Sequence, residues 1–143
     1  MNDIVLNKKE SIERCVRQIR LYYSTPSEVA FEEDYLKQDA IAINLQRSCE
    51  QAIDLANYTI KKKKKLGLPK ASKESFRLLS DNKIIPHELS DRLEKMVGFR
   101  NVLVHQYQEL DIKLMLEVID NHLDELIDFT NHIMNCFADD FAS

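Results

Sequence analysis

Glycine and proline are scarce, with two and three residues in a chain of 143. Strands joined by hairpins need more of both, so a β architecture is excluded and long helices are favoured. No run approaches the roughly 18 apolar residues of a membrane span. The opening stretch MNDIVLNKKESIERC carries charge where a signal peptide needs its apolar region. The expectation is a soluble, cytoplasmic protein that does not engage membranes. Cysteine occurs three times, at Cys15, Cys49 and Cys136, an odd number at wide spacing. That excludes a disulfide framework and metal-ligand spacing, and implies reduced, mostly buried thiols. Positive charge is not in excess either. The formal net charge is −4, so any contact with nucleic acid needs a local basic patch and a specific pocket.

What is present is a globular mixture, 44% hydrophobic and 31% charged, and a length suited to one domain over residues 1–143. Apolar residues recur at helical spacing almost throughout. Residues 3–23 place Ile12, Cys15, Val16, Ile19 and Tyr22 or Tyr23 on one face. STPSE at 24–28 interrupts, and Ser27 is suited to cap a long second helix over about 28–62. Its stripe is Ile41, Leu45, Cys49, Ala52, Ile53, Ala56 and Ile60. The run Lys61, Lys62, Lys63, Lys64 and Lys65 complements the dipole at its end, and Gly67 and Pro69 supply a stop. A short third helix over about 73–80, capped by Ser72, holds Phe76 and Leu79. A fourth, with Pro86 in its first turn, buries Leu89, Leu93, Met96, Val97 and Val104. A break near 108–111 precedes a fifth helix over about 111–138. These readings predict an all-α, up-and-down bundle of four or five helices.

The fourth helix carries GFRNVLVHQY at 98–107. Asn101 and His105, four apart, share a face, as do Arg100 and Tyr107, seven apart. Arg100 and His105 stand about 140° apart around an ideal helix. One straight helix does not gather all four groups. The arginine can wrap around the helix, the helix can loosen after His105, or a second copy can bring its own set alongside. The last arrangement, helped by the first, is favoured. Cleavage of an RNA phosphodiester suits these groups. Histidine exchanges protons near neutrality, arginine grips phosphate through paired hydrogen bonds, and asparagine orients either. The RNA brings its own 2′-hydroxyl nucleophile, so no metal or cofactor is required. Plainer roles stand beside these. His105 suits a cap or packing position, Arg100 a surface ion pair, and Tyr107 a core ring with a wet hydroxyl. The lysine run suits a solvated helix end as well as attraction of RNA. His87, His122 and His132 read as surface or packing residues.

Arg100-Asn101-x-x-x-His105-x-Tyr107 resembles the signature of the HEPN superfamily, and the tyrosine two places after the histidine resembles its HepT branch. DAIAINLQRSCEQAIDLANYTI at 39–60 is similar to that branch's long second helix. GLPKASKESFRLLSDNKIIPHELSDRLEKMVGFRNVLVHQYQELD at 67–111 is similar to its central block, and the two together span about half the chain. The resemblance implies an all-helical homodimer whose motif faces a cleft between protomers. It implies a metal-independent endoribonuclease, the toxin of a bacterial toxin–antitoxin pair, with Arg100 and His105 cleaving and Asn101 supporting them. The implied partner is a minimal nucleotidyltransferase antitoxin that transfers AMP to Tyr107, within a hetero-complex of open stoichiometry. Asp39 and Asn44 fall in a region typical of the family, with roles left open. The alternative is a helical dimer without activity that binds nucleotide or RNA, or docks the transferase.

Overall fold

The computed structural model describes residues 3–63, 72–105 and 111–138, the side chains of 72, 73 and 101–105 excepted. Among them are six α-helices and no strand. α1 (Asp3–Ser24) buries Val5, Ile12, Cys15, Val16 and Ile19, the stripe expected from spacing. α2 (Tyr35–Lys62) buries all seven residues of its expected stripe, together with Leu55 and four polar residues. It begins later than the sequence suggests. Residues Phe31–Glu33 form a 3-10 turn, and the cap is Asp34, whose Oδ1 accepts from the Lys37 N–H at 3.1 Å. Ser27 does not cap α2. Its hydroxyl donates to Asp34 Oδ2 at 2.6 Å and holds the capping carboxylate in place. That bond, with the Lys37 N–H, lowers the Asp34 pKa.

α3 (Ser72–Asp81) and α4 (His87–His105) follow, joined by a turn in which Lys83 has φ 62°. Leu89, Leu93, Met96 and Val97 of α4 are buried as expected, and so is Phe99. The expected cap at Ser72, Val104 as a core residue, and the stop signals Gly67 and Pro69 lie outside the described side chains or residues. The single expected fifth helix is two: α5 (Ile112–Asn121) and α6 (Leu123–Cys136). The break at His122 has φ −124° and ψ −5°, and no glycine or proline marks it. Asp111 caps α5 by accepting from the Leu114 N–H at 3.1 Å.

Side-chain neighbours fix the helix directions. Leu126 of α6 lies by Cys49 and Ala52 of α2, and Phe137 stacks on Tyr58 at 6.0 Å, so α6 and α2 run the same way. His132 lies by Pro86 and His87, and Glu125 by Arg92 and Met96, so α6 runs against α4. α4 is therefore antiparallel to α2. α1 is also antiparallel to α2 and α6, with Lys8 paired to Asp54 at 3.6 Å and Arg20 to Asp124 at 2.6 Å. α1, α2, α4 and α6 thus form an up-and-down bundle, while α3 and α5 flank it. Phe76 and Phe129 meet edge to face at 5.5 Å in its centre. No described helix is long and apolar enough to cross a membrane.

Candidate functional site

Arg100 lies one turn before the end of α4, in register with the core residues Met96 and Val97. It is half-buried, its Nε is shielded from solvent, and the side chain is engaged by its surroundings. Cys49 of α2 stands close by, with Sγ donating weakly to the Met96 carbonyl at 4.0 Å. Burial pushes the Cys49 thiol from an ordinary 9.0 up to about 12, and the Arg100 charge draws it part of the way back. Arg100 is thus a cation held against the core, with its reach set by packing at its root. That differs from a surface ion-pair residue free to swing.

Positions 101 and 105 belong to the same helix, and His105 is its final residue. The side chains of Asn101 and His105 lie outside the described residues, as do Tyr107, Lys64 and Lys65. Antiparallel packing shows what the end of α4 faces. Nine residues separate Met96 from position 105, and nine steps back along α2 from Cys49 lead to position 40. Position 105 is therefore level with the segment that holds Asp39 and Asn44. Asp39 is exposed. Asn44 is buried, and its Nδ2 donates to the Ala40 carbonyl at 2.8 Å, which ties the amide to its own helix. The same end of α2 exposes Tyr35, Leu36 and Ile43.

The lysine run begins at the opposite end of the bundle. Lys61 and Lys62 form the last turn of α2, and Lys63 caps it. Lys62 Nζ stands 5.6 Å from the Tyr58 ring centre, and Lys63 Nζ 4.9 Å from that of Phe137. Both ammonium groups rest on aromatic faces, which fixes them more than a solvated tail would. These two are more than twenty residues along α2 from the level of position 105 in the same chain.

One cluster was missed in the sequence. Glu125, an acidic residue at an inward position of α6, is buried. Its Oε1 lies 2.7 Å from His122 Nδ1 and 4.0 Å from Arg92 Nε. His122 also approaches Glu117 at 3.8 Å. The signal was His122-x-x-Glu125 on the apolar stripe of α6, a spacing that places both side chains on one face.

With this geometry in hand, known proteins sharpen the reading. The family described as "Ribonuclease HepT-like" matches residues 12–133. The chain is 44% identical to the mRNA nuclease HepT of Shewanella oneidensis over 93% of this chain and 98% of that protein. It is 28% identical to a putative RNase of Archaeoglobus fulgidus over 90% of this chain and 89% of that one. The fold is similar to the tri-AMPylated Shewanella oneidensis HEPN toxin solved in complex with its MNT antitoxin. That match has a TM-score of 0.85 at 43% identity, over 94% of this chain and 99% of the other.

Proposed function

Because this chain belongs to the HepT-like ribonuclease family, we propose that it is an endoribonuclease toxin restrained by a nucleotidyltransferase antitoxin. The observation that carries this is the near full-length match to a HepT nuclease, with Arg100, Asn101 and His105 of the Arg–Asn–x–x–x–His–x–Tyr sequence in the last turns of α4 and the arginine half-buried. In the proposed reaction, His105 accepts the proton of an RNA 2′-hydroxyl as that oxygen attacks the adjacent phosphorus. The bond to the 5′-oxygen breaks, leaving a 2′,3′-cyclic phosphate. The departing oxygen takes a proton from a second imidazole, supplied by a partner protomer. Arg100 binds the phosphoryl oxygens as charge builds on them, and Asn101 orients the reacting groups. No step requires a metal or a cofactor.

The homodimer in this proposal is supported by the apolar face of α2. Tyr35 is 70% exposed, Leu36 84% and Ile43 43%, and this face is level with the end of α4. Three large apolar side chains left in water at the level of the end of α4 favour a second copy covering them. Regulation fits the same place. The Tyr107 hydroxyl attacks the α-phosphorus of ATP, pyrophosphate leaves, and AMP stays on the tyrosine. The added phosphate charge and bulk then compete with RNA for Arg100. The relative solved with an MNT antitoxin is itself tri-AMPylated, which supports this mode of control. Lys61 to Lys65 add cationic attraction for RNA, and the setting is the cytoplasm.

RNA digestion in the presence of chelator tests the proposal. The wild-type chain is expected to produce fragments ending in cyclic phosphate. His105→Ala is expected to lower the rate by about 10²–10⁴-fold with the dimer intact. Equal cutting by the two proteins would assign the activity to a contaminant and remove the proposal.

A further inference from the structure

A cavity of about 380 Å³ lies between the α3–α4 turn and α6, lined among others by Lys83, Ile84, Ile85, Pro86, His87 and His132. Its ionisable side chains, Lys83, His87 and His132, are all N–H donors, and no carboxylate is among its described lining residues. Asp81, Glu88 and Asp128, the acidic residues nearest in sequence, are exposed and outside the lining. Among the described residues the histidine that pairs with carboxylates is His122, whereas Lys83, His87 and His132 enter no ion pair. In a chain of net charge −4, a cavity with only basic groups runs against the composition.

The turn beside the cavity engages its own acceptors. The Leu78 carbonyl accepts from the Asn82 N–H at 3.2 Å, Leu79 from Ile84 at 2.9 Å and Ser80 from Lys83 at 3.0 Å. The carbonyls that would repel an anion at the end of α3 are thus occupied. The donors at the start of α4 are not. The Ser90 N–H bonds back to the Pro86 carbonyl at 3.1 Å, so the N–H groups of His87, Glu88 and Leu89 precede the first bond of the helix. The positive end of the α4 dipole therefore lies at the same rim. Lys83 adds a separate sign. At φ 62° it stands where glycine is favoured and a side chain is costly. A lysine kept there supplies what glycine would not, a cation on the lining of the cavity.

Positions 87 and 105 are the two ends of α4, about five full turns and roughly 27 Å apart, so by register they share a face of that helix. Between them Glu94 is paired with Arg77 of α3 at 3.3 Å, and Asp91 is the exposed carboxylate on that side. Lys61, Lys62 and Lys63 close α2 at the same end of the bundle as the cavity. We infer that the cavity is a second RNA contact, which holds a backbone phosphate of a strand whose scissile bond lies at the motif. The imidazole N–H groups of His87 and His132 and the ammonium of Lys83 donate to the phosphoryl oxygens. Contacts of this kind position a strand without reading its bases, so the site selects length rather than sequence. The inference rests on RNA being the substrate, and adds to that reading a preference for strands long enough to reach both ends of α4. A free phosphate would meet the same donors, but the shared face and the lysines beyond it favour a chain of phosphates.

Fluorescence anisotropy of the full-length His105→Ala protein with a long single-stranded RNA, and with one too short to span α4, tests it. Lys83→Gly suits the turn and is expected to leave the melting temperature unchanged or higher. It is expected to weaken the long RNA about three- to tenfold, and to flatten the slope of log affinity against log salt by about 0.7. His87→Ala with His132→Ala is expected to weaken the long RNA to a similar degree. Affinity for the short RNA is expected to stay the same in both variants. With His105 in place, the same substitutions are expected to raise KM for the long RNA and leave kcat and cleavage of the short RNA unchanged. Unchanged affinity for the long RNA in both variants, or equal losses on the two lengths, would overturn the assignment. Titration with inorganic phosphate separates the two sources. Saturable phosphate binding that the variants lose, with long-RNA binding intact, would assign the cavity to a free anion and overturn the RNA contact. Failure of the wild-type chain to cut either RNA would remove the ribonuclease reading, and binding by the His105→Ala protein would still decide this one. A chain that cuts RNA, and whose variants hold the long strand as tightly as before, would defeat this inference alone.

Discussion

Leu55 and Leu36 are both leucines of α2, yet the first is fully enclosed and the second is 84% exposed. From Ser48 to Ile60 the helix is surrounded by α1, α3, α4 and α6, and its inward positions are filled to closure. From Tyr35 to Ile43 the same helix shows large apolar groups to water. Helical propensity does not distinguish the halves. What differs is the supply of neighbours within one chain. The closed half reports how the monomer is stabilised, and the open half reports what the monomer leaves to another surface.

Substitution sharpens this contrast most in the closed half. Leu55→Ala is expected to destabilise the fold by about 2–5 kcal/mol, because the enclosed site cannot collapse around the lost atoms. Chemical denaturation measures it, and a loss below about 1 kcal/mol would place Leu55 in a looser environment than its enclosure implies. In the open half, Leu36→Ser with Ile43→Ser is expected to leave monomer stability within about 0.5 kcal/mol. Association should weaken by about tenfold or more if these side chains anchor the second copy. Sedimentation at graded concentration reads this, and unchanged association would assign the dimer face elsewhere. A smaller effect concerns pH. The Cys49 thiol is raised in the folded state to about 12, while the unfolded thiol ionises near 9.0. The contribution of the buried neutral thiol is full below the unfolded value and falls as pH rises toward the folded one. Stability is expected to decline above about pH 9 more steeply in wild type than in Cys49→Ala, as melting temperatures at graded pH would show.

The bundle was legible because its stripes are regular. Every expected core residue of α2 is buried, since nothing in that segment competes with a 3.6-residue period. The start of α2 was not legible. Glu28, Val29 and Ala30 read as helix, but the Asp34 cap, braced by Ser27, sets the boundary six residues later. The division at His122 was hidden for a related reason. Met115, Ile119, Leu123 and Leu126 continue one apolar period across the break, and a change of axis leaves no mark on such a pattern. Arg100 was found through motif spacing, but its attachment to the core was not, because that depends on Cys49 from another helix. Glu125 escaped notice since an acidic residue is ordinarily assigned to the surface, and only the fold brings Arg92 and His122 to its side.

The pairing of Arg20 with Asp124 spans 104 positions of sequence. α6 also fills the centre of the bundle through Phe129 against Phe76. Before α6 is made, α1 and α2 can pair as a hairpin and α3 and α4 can add to it, but the inner face that Phe129 fills stays open. The nascent chain stays unfinished until Phe129 has left the exit tunnel. A destructive enzyme built this way would acquire its shape only once α6 has been made, and an antitoxin made alongside it would have that interval in which to meet it.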